Sequence, residues 1–440
     1  MEHFNADHFV NWFRHSSPYI NAHRKKTFVV YLSGDAIVDE LLPGIVHDLA
    51  LLNSLGVRLV LVHGARPQIE SDLSSHNIAT QIEEGIRTTS TEAMSIVQGT
   101  LGRIRSQIEA AFSMGVANSP MAGSRIRIIG GNLIMARPLG VRNGVDYGHS
   151  GEIRRIDKEA INHSLELGAI VLLSPIGYSP TGEAFNISAE DVATDVSIHL
   201  KADKLILYTD QPYLKDEDGG SIRQLSTSEA EKCARDGSCK DNIHLKSALR
   251  AAKQGVRRAH LIDYTTDGAM LLELFTRDGV GTLVSAENYD TLRQANIDDV
   301  AGVLELISPL ENEGILVRRS RELLETEIDH FTVLERDGMI IGCAALYPYP
   351  IDSMAEMACL AVHKDYQGDG RGEVILEALE HQARRLGVSK LFVLSSRSTH
   401  WFLERTFKET TMDSLPMHKQ QLYNYQRRSK VFIKDLGREK

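Results

Sequence analysis

Short runs of valine, isoleucine and leucine alternate with longer amphipathic stretches over almost two thirds of the chain. Strands that are buried on both faces of a sheet read as continuous apolar runs, so the alternation is typical of a parallel sheet covered by helices. The predicted strands are 27–32, 57–62, 126–129, 169–173, 204–208 and 260–262. The predicted helices are 38–55, 91–112, 188–201 and 243–254. The sequence therefore predicts an α/β domain that ends near 281–285.

Length, charge and cysteine content limit the class of protein. A chain of 440 residues is long enough for two or three domains. The formal net charge of -10 argues against a nucleic-acid partner, and no apolar run is long enough to cross a membrane. Four scattered cysteines predict no disulfide framework. We expect a cytoplasmic protein without a nucleic-acid or membrane partner.

An amphipathic helix is predicted over residues 6–20, where Phe9, Trp12 and Phe13 form an apolar stripe. Such a helix can fold back on its own domain. It can equally dock on a neighbouring subunit, which would indicate a homo-oligomer. The sequence does not decide between the two.

A second pattern begins after the polar stretch 286–290. It predicts a strand at 292–296, a helix at 298–310, and two strands at 330–335 and 340–348 joined across Asp337 and Gly338. It continues with a strand at 355–362, helices at 374–386 and 399–405, a strand at 390–395, and a last strand pair around 417–434. The predicted division is a helix over 1–22, a domain over 23–285, a linker over 286–291 and a domain over 292–440.

A glycine-rich turn in this second domain is the main candidate for chemistry. Gln367, Gly368, Gly370 and Gly372 form a Q-G-x-G-x-G stretch between a strand and a helix. Glycines let the backbone approach an anion, and the free N–H groups at a helix start attract it. Arg371 lies within the same stretch. The alternative is a glycine turn without a ligand, which is the usual meaning of an isolated motif.

The order of elements resembles the GNAT acetyltransferase superfamily from about residue 292 onward. The resemblance implies that the turn holds the pyrophosphate of acetyl-CoA. It also implies that the preceding strand, with Cys359, Leu360 and Val362, lends backbone groups to the pantetheine arm and the thioester. No metal is implied.

Acetyl transfer to an amine needs a group that accepts a proton, because an alkylammonium is mostly protonated at neutral pH. Glu356 is the only carboxylate between Asp352 and Asp365. We predict that it is the base, against the alternative of a solvated glutamate at a strand end. The departing thiolate needs a proton donor, and Ser395 is the candidate, with Ser396 as its rival.

Two arginine pairs are candidates for binding the acceptor. Arg318 and Arg319 precede a helix, and Arg427 and Arg428 lie in the stretch YNYQRRSK. Guanidinium groups bind carboxylates in two-point contacts, so a substrate with two carboxylates could use both pairs. The alternative is that these charges only face solvent.

The whole chain resembles the bacterial N-acetylglutamate synthase family, which joins an amino-acid-kinase-like domain to a GNAT domain. The stretches EMACLAV from Glu356, WFLERTF from Trp401 and YNYQRRSK carry the resemblance. It implies that Arg319, Arg427 and Arg428 bind the glutamate carboxylates, that Cys359 also belongs to the substrate site, and that Glu356 and Ser395 are base and acid. Thr406 departs from the glycine usual in the family.

The first domain resembles acetylglutamate kinases but lacks their phosphate-binding residues. The lysine motif reads YLSG from Tyr31, the triple-glycine turn reads GARP from Gly64, and Glu190 replaces an aspartate. Since phosphoryl transfer needs those positive groups, we predict no kinase activity. Resemblance to arginine-sensitive kinases implies an L-arginine site with Tyr19, His260, Glu273 and Gly279. For Glu273 the alternative is an exposed helix residue.

The resulting expectation is transfer of acetyl from acetyl-CoA to L-glutamate, with L-arginine as effector. The alternatives are an acetylglutamate kinase with an accessory domain, an arginine sensor that only binds CoA, and an acetyltransferase for another amine. Related arginine-sensitive proteins form hexamers, but the sequence leaves open the number of subunits and the sign of regulation.

Overall fold

The structure is a computed structural model that forms two compact units, Met1–Glu287 and Asn288–Lys440. It describes residues 6–38, 40–79, 81–83, 85–115, 120–210, 214–215, 221–236, 242–276, 279–286, 290–336, 338–368, 370–395, 397, 399–421 and 429–437.

An eight-stranded sheet forms the centre of the first unit. All neighbouring strands run parallel except the pair 258–263 and 282–285. In spatial order the strands are Gln224–Ser226, Thr282–Ser285, Arg258–Asp263, Lys204–Thr209, Thr27–Leu32, Arg58–His63, Ile170–Leu173 and Ile128–Ile129. The two faces of the sheet form two separate apolar cores. All six strands predicted for this sheet are present, with ends that differ by at most two residues.

Helices cover both faces of this sheet. They are Ala6–His23, Leu42–Ser54, Arg66–Ser75, Thr91–Phe112, Lys158–Glu166, Ala189–His199, Thr227–Asp236, Asn242–Lys253 and Ala269–Phe275, with a 3₁₀ turn at Gly34–Ala36. Several begin at an N-cap side chain that accepts a backbone N–H, such as Ser90, Asp157 and Ser188. The predicted helix 38–55 begins four residues later, at Leu42, because Pro43 favours a first-turn position.

A smaller sheet and three short strand pairs complete the first unit. The smaller sheet contains Ala184–Asn186, Ile176–Tyr178, Ile134–Pro138 and Gly151–Ile156. The pairs are Ile82–Glu83 with Ile86–Arg87, Val141–Arg142 with Val145–Asp146, and Leu214–Lys215 with Ser221–Ile222.

The leading helix divides into two halves. At its C-terminal end, His23 is buried and its Nε2 donates to the Leu274 carbonyl oxygen at 2.9 Å. Tyr19 lies within this helix, in agreement with the predicted range 6–20, and packs on the core of the unit. At the other end Phe9, Trp12 and Phe13 are 43–55% exposed. One half therefore folds back on its own domain and the other half leaves an apolar face open.

A seven-stranded sheet forms the second unit. In spatial order its strands are Thr291–Gln294, Phe331–Arg336, Met339–Tyr349, Met354–Val362, Lys390–Ser395, Lys430–Asp435 and Lys408–Thr410. Only Met354–Val362 and Lys390–Ser395 run parallel to each other. The predicted hairpin is present and Gly338 has a positive φ of 79° in its turn, whereas Asp337 lies outside the described residues.

The helices of the second unit are Val300–Asn312, Arg321–Glu327, Arg371–Arg385, Thr399–Glu404 and Met417–Gln421, and the 3₁₀ turns are Ile297–Asp299, Ile328–His330, Pro350–Asp352, Lys364–Tyr366 and Met412–Ser414. Two predictions need correction. The last strand pair is formed by 408–410 and 430–435, and not around 417–434, because residues 417–421 form a helix. The helix predicted at 374–386 begins at Arg371.

The described residues contain no helix with the length and apolar character needed to cross a membrane. They also contain no group of three acidic, histidine or cysteine residues suited to a metal. Cys343 and Cys359 are free thiols, but Cys233 is disulfide-bonded. One disulfide is not a framework, but with it the cysteine content no longer supports the expected cytoplasmic location.

Candidate active site

The glycine-rich turn is open at its surface. Gly368 and Gly370 have positive φ angles of 100° and 73° and both are exposed. Gly370 is the N-cap of the helix Arg371–Arg385, and no side chain among the described residues caps this end. The first N–H groups of the helix thus face outward where an anion can accept them. This geometry is suited to binding a phosphate.

Two members of the predicted motif have other contacts. Gly372 lies inside the first helical turn, where an added Cβ would come within 3.1 Å of the Trp401 ring, so its small size allows packing. The Arg371 guanidinium donates to Asp290 Oδ2 at 2.7 Å and to the Tyr366 carbonyl at 3.1 Å. The Arg371 side chain therefore holds the turn in place through its own domain.

The strand 354–362 leads into the turn and pairs with its parallel neighbour only over its first residues. Gln367 Nε2 donates to the Val362 carbonyl at 3.0 Å. The strands 354–362 and 390–395 pair only as far as Glu356 and Phe392, although both continue. Beyond that point the two strands no longer pair, and we call the gap between them the cleft. Leu360 and Val362 lie on the separated part and are half-buried.

A β-bulge redirects the backbone inside this cleft. Cys359 has a positive φ of 55°, which is rare for a residue with a side chain, and the register with strand 339–349 shifts there. A hydrogen bond with the buried Cys343 thiol lowers the pKa of Cys359 and raises that of Cys343. Bulges of this kind turn side chains and backbone groups toward a site.

Glu356 is buried at the point where the two strands separate. Its side chain is 7% exposed, and its Oε2 forms an ion pair with Lys419 Nζ at a distance of 2.7 Å. Burial and a hydrogen bond to Glu356 raise the pKa of Tyr349 to about 12. Glu356 is therefore not a solvated glutamate at a strand end. The sequence did not single out Lys419, which falls in a region that was predicted to be a strand.

Ser395 is the last residue of the neighbouring strand and is half-buried. It lies on the same strand as Phe392, the partner of Glu356. Its predicted rival Ser396 lies outside the described residues, so the choice between the two serines stays a prediction.

The first arginine pair is divided by burial. Arg319 is half-buried, its backbone N–H donates to Glu311 Oε1 at 2.9 Å, and its guanidinium lies near Tyr347 and Cys359. Arg318 is exposed and its guanidinium donates to Asn312. Only Arg319 is near the bulge of the cleft. Arg427 and Arg428 lie outside the described residues.

Tyr347 was not foreseen from the sequence. Its hydroxyl donates to Glu327 Oε2 at 2.6 Å, and burial and this bond raise its pKa. The hydroxyl oxygen also interacts with the Arg319 guanidinium. Tyr347 thus links a carboxylate to the inward arginine.

Two family models match the chain. The amino acid kinase family matches residues 26–263, and the acetyltransferase (GNAT) family matches residues 300–407. Amino-acid acetyltransferases of Pseudomonas putida and Azotobacter vinelandii are each 53% identical over 429 residues, which cover 97% of this chain and 99% of theirs. The chain belongs to the amino-acid acetyltransferase family.

Solved structures agree with this assignment. The N-acetylglutamate synthase of Neisseria gonorrhoeae, complexed with coenzyme A and L-arginine, is 35% identical and matches with a TM-score of 0.89 over 98% of this chain and 100% of that one. The same enzyme complexed with coenzyme A and N-acetyl-glutamate matches with a TM-score of 0.63 over the same shares. The resemblance inferred from the motifs and the α/β fold class, a kinase-like sheet plus a GNAT domain, are confirmed.

In the kinase-like unit, side chains fill the space beside the glycine turn at Gly34. We call this the filled turn. An added Cβ on Gly34 would lie 2.6 Å from Pro67 and 2.7 Å from Gln68, and Gln68 Nε2 donates to the Gly34 carbonyl. Tyr31, at the position of the missing lysine, donates its hydroxyl to Glu190 Oε1 at 2.9 Å. The turn has neither space nor a lysine for a phosphate.

A second cluster in this unit brings together three of the predicted effector residues. His260 Nδ1 donates to Glu273 Oε1 at 2.6 Å, and an added Cβ on Gly279 would meet Glu273 Oε2 at 2.3 Å. Burial lowers the pKa of His260 to about 4, helped by Lys204, whose Nζ is 3.3 Å from His260 Nε2. His260 is therefore neutral at pH 7.

Glu273 is buried and not an exposed helix residue. Burial opposes its charge, yet bonds from His260 and from the N–H groups of Val280 and Gly281 lower its pKa. Lys204 was missed, because a lysine at the start of an apolar strand gives no distinct signal. The helix that carries Tyr19 packs against the helix Ala269–Phe275 of Glu273.

Proposed function

We propose that this protein transfers the acetyl group of acetyl-CoA to the α-amino group of L-glutamate, as N-acetylglutamate synthase does in the first step of arginine biosynthesis. One observation supports it most. The two central strands separate directly after a buried carboxylate, next to a strand that leads into an open glycine turn. The coenzyme A complexes of the 35% identical Neisseria gonorrhoeae enzyme add support.

The turn formed by Gln367, Gly368 and Gly370 binds the pyrophosphate through backbone N–H groups. The helix start at Arg371 and Gly372 supplies the first of these donors. Backbone groups of Leu360 and Val362, which no sheet neighbour on the cleft side occupies, hold the pantetheine arm. This places the thioester in the cleft near the bulge at Cys359.

Glu356 accepts a proton from the ammonium of L-glutamate, and the neutral amine attacks the thioester carbonyl. The carbon–nitrogen bond forms and the carbon–sulfur bond breaks, without a covalent intermediate on the enzyme. Ser395 donates a proton or hydrogen bond to the departing thiolate. A buried base suits this task because water does not compete for it.

The acceptor is a dicarboxylate, and the half-buried Arg319 near the bulge supports this part of the proposal. Arg319 binds one carboxylate in a two-point contact, and its guanidinium also interacts with the Tyr347 hydroxyl and lies near Cys359. Arg427 or Arg428 binds the other carboxylate. An acceptor with a single carboxylate would leave one guanidinium without a partner.

L-arginine binds the first domain and regulates the second. Glu273 is suited to its guanidinium, and Lys204 beside His260 is suited to its carboxylate. The backbone at Gly279 and the side chain of Tyr19 complete the site. Regulation requires that L-arginine binds the active and inactive states with different affinity.

Domain limits, assembly and location belong to the same proposal. The domains are 23–285 and 292–440, joined by 286–291 and preceded by a helix over 1–22. The exposed Phe9, Trp12 and Phe13 on this helix support a homo-oligomer, for which a hexamer is the expected size. The enzyme acts in the cytoplasm.

The test follows free CoA thiol released from acetyl-CoA. We expect release that depends on L-glutamate and changes when L-arginine is added. Release of more than one CoA per protein chain with L-glutamate absent, or equal rates with other amino acids, would exclude this acceptor. ADP release from ATP with N-acetylglutamate would support the kinase alternative instead.

A further inference from the structure

The candidate base already has an amine of the chain itself bound to it. Lys419 Nζ lies 2.7 Å from Glu356 Oε2, and the two side chains are 21% and 7% exposed. An acceptor for acetyl transfer must bring an ammonium to this same oxygen, since the base has to take its proton. Lys419 therefore occupies the place that the acceptor amine needs.

We propose that Lys419 is a self-acetylation site, which reacts with acetyl-CoA when no amino-acid acceptor is bound. The inference rests on the proposed function, because it uses Glu356 as the base and acetyl-CoA as the donor. It adds a protein amine as a second acceptor and a modification that blocks the enzyme.

The local structure allows Lys419 to take this position and to leave it. It is carried by the five-residue helix Met417–Gln421, whose first turn is held by backbone bonds from Lys419 and Gln420 to the Pro416 carbonyl. Leu415, just before it, is buried in the apolar cluster with Met354 and Phe392 around the paired ends of the strands. The helix is thus anchored beside the base by its start, while the lysine side chain is long and flexible.

The reaction balances with acetyl-CoA alone. Glu356 takes one proton from the Lys419 ammonium, and the neutral amine attacks the thioester carbonyl. The nitrogen–carbon bond forms as the carbon–sulfur bond breaks, and the thiolate takes the second proton from nitrogen and leaves as CoA thiol. The product is acetyl-lysine, which carries no charge and can no longer pair with Glu356.

Acetylation has a consequence for the main reaction. The acetyl-lysine amide fills the space beside Glu356 that a free amine must enter, and the buried carboxylate loses its cation. The modified enzyme is therefore inactive. Saturation with L-glutamate protects Lys419, because the substrate ammonium displaces it from the base.

The second unit contains a matched control. Lys434 Nζ lies 2.5 Å from Glu380 Oε1, and the side chains are 19% and 8% exposed. This pair has the same chemistry and burial as Lys419 with Glu356, but Glu380 lies on the helix 371–385 and not at the strand separation. Chemical acetylation by acetyl-CoA in solution would treat the two lysines alike.

The experiment incubates the full-length protein with acetyl-CoA, with and without saturating L-glutamate, and measures acetylation of each lysine by peptide mass spectrometry. General-base assistance is worth about a hundredfold or more, so Lys419 should react faster than Lys434 by about that factor. L-glutamate and the variant Glu356→Gln should each remove the difference. Preincubation with acetyl-CoA should inactivate the wild-type protein but not Lys419→Arg, each compared with its own untreated sample.

Three results would overturn the proposal. If the protein acetylates L-glutamate but Lys419 stays unmodified, self-acetylation is wrong and the proposed function stands. If Lys419 and Lys434 react equally, or if Glu356→Gln makes no difference, the modification is only chemical. If neither L-glutamate nor Lys419 is acetylated, both proposals fail.

Discussion

Two glycine turns, one in each unit, follow buried strands of an α/β sheet and differ in what surrounds them. The turn at Gly34 is buried, and Pro67 and Gln68 occupy the space beside it. The turn at Gly368 and Gly370 is exposed and ends at a helix start that no described side chain caps. Glycine is needed for both backbones, but only the second leaves its N–H groups open to an anion.

A carboxylate in each unit also differs in its hydrogen-bond or ion-pair partner. Glu190 is bound by the neutral hydroxyl of Tyr31, whereas Glu356 is bound by the ammonium of Lys419. At the first turn a neutral hydroxyl thus takes the position beside the carboxylate that an ammonium has in the second unit. A glycine turn predicts phosphate binding only when the space above it is empty, and this depends on side chains distant in sequence.

The largest expected effect on kcat comes from replacing the carboxylate of each region with an amide. Glu356→Gln should lower kcat by about 100- to 10,000-fold, because a positioned base contributes this much to a proton transfer. Glu190→Gln, the matched change beside the filled turn, should leave kcat within about twofold, since Glu190 contacts neither substrate in the proposed mechanism. Steady-state rates, measured well below the melting temperature of each variant, check this. Equal losses in both would break the comparison.

The next effect concerns the acceptor. Arg319→Met should raise the KM for L-glutamate by about 10- to 100-fold, because a charged hydrogen bond contributes about 1.5–3 kcal/mol. Arg318→Met removes the exposed arginine of the pair and should change the KM for L-glutamate little. The KM for acetyl-CoA should stay constant in both. A similar rise in the KM for L-glutamate in both variants would contradict the assignment of Arg319 alone to the acceptor site.

A smaller effect is expected at the open turn. Gly368 has a φ of 100°, so Gly368→Ala strains the backbone by about 1–3 kcal/mol. We expect a rise of about tenfold in the KM for acetyl-CoA, with the KM for L-glutamate unchanged. Gly34→Ala, at the filled turn, should lower the melting temperature and leave the KM for acetyl-CoA as it is. Loss of acetyl-CoA affinity in Gly34→Ala would contradict the comparison.

The smallest effect on catalysis is expected at His63, a buried residue of the first unit that directly precedes Gly64. Burial lowers its pKa to about 4, so it stays neutral in the folded state while the unfolded chain binds a proton below about pH 6.5. The unfolded state then binds more protons, and stability falls as the pH drops from 6.5 toward 4. Between pH 6.5 and 4.5, His63→Gln should reduce the loss in the free energy of unfolding by about 2–3 kcal/mol. Denaturant unfolding at both pH values measures it, and identical pH dependence would contradict the assignment.

Much of the fold could be predicted from periodicity. Buried strands of valine, isoleucine and leucine form a distinct pattern, so the strand at 27–32 and the helix at 91–112 were predicted to the residue. The strand pair predicted around 417–434 was wrong, because the short helix at 417–421 has no long apolar repeat that would reveal it. The leading helix was predicted to end at residue 20, although it continues to His23.

Parts of the candidate site depend on contacts between distant positions. Lys419 and Glu356 are 63 positions apart, and Lys204 and His260 are 56 apart, so no local pattern pairs them. Tyr347 likewise meets Glu327 and Arg319 only after the sheet has formed. The roles of these residues stay predictions, whereas their contacts are observed.

By itself, the sequence determined the two α/β domains, the position of the glycine motif and the carboxylate at Glu356, because local periodicity and residue type carry that information. Only the tertiary structure decided which glycine turn is open, which arginine points inward and which amine rests on the base. Those outcomes depend on space and charge contributed by residues far along the chain, and a chain acquires them only when its strands pack together.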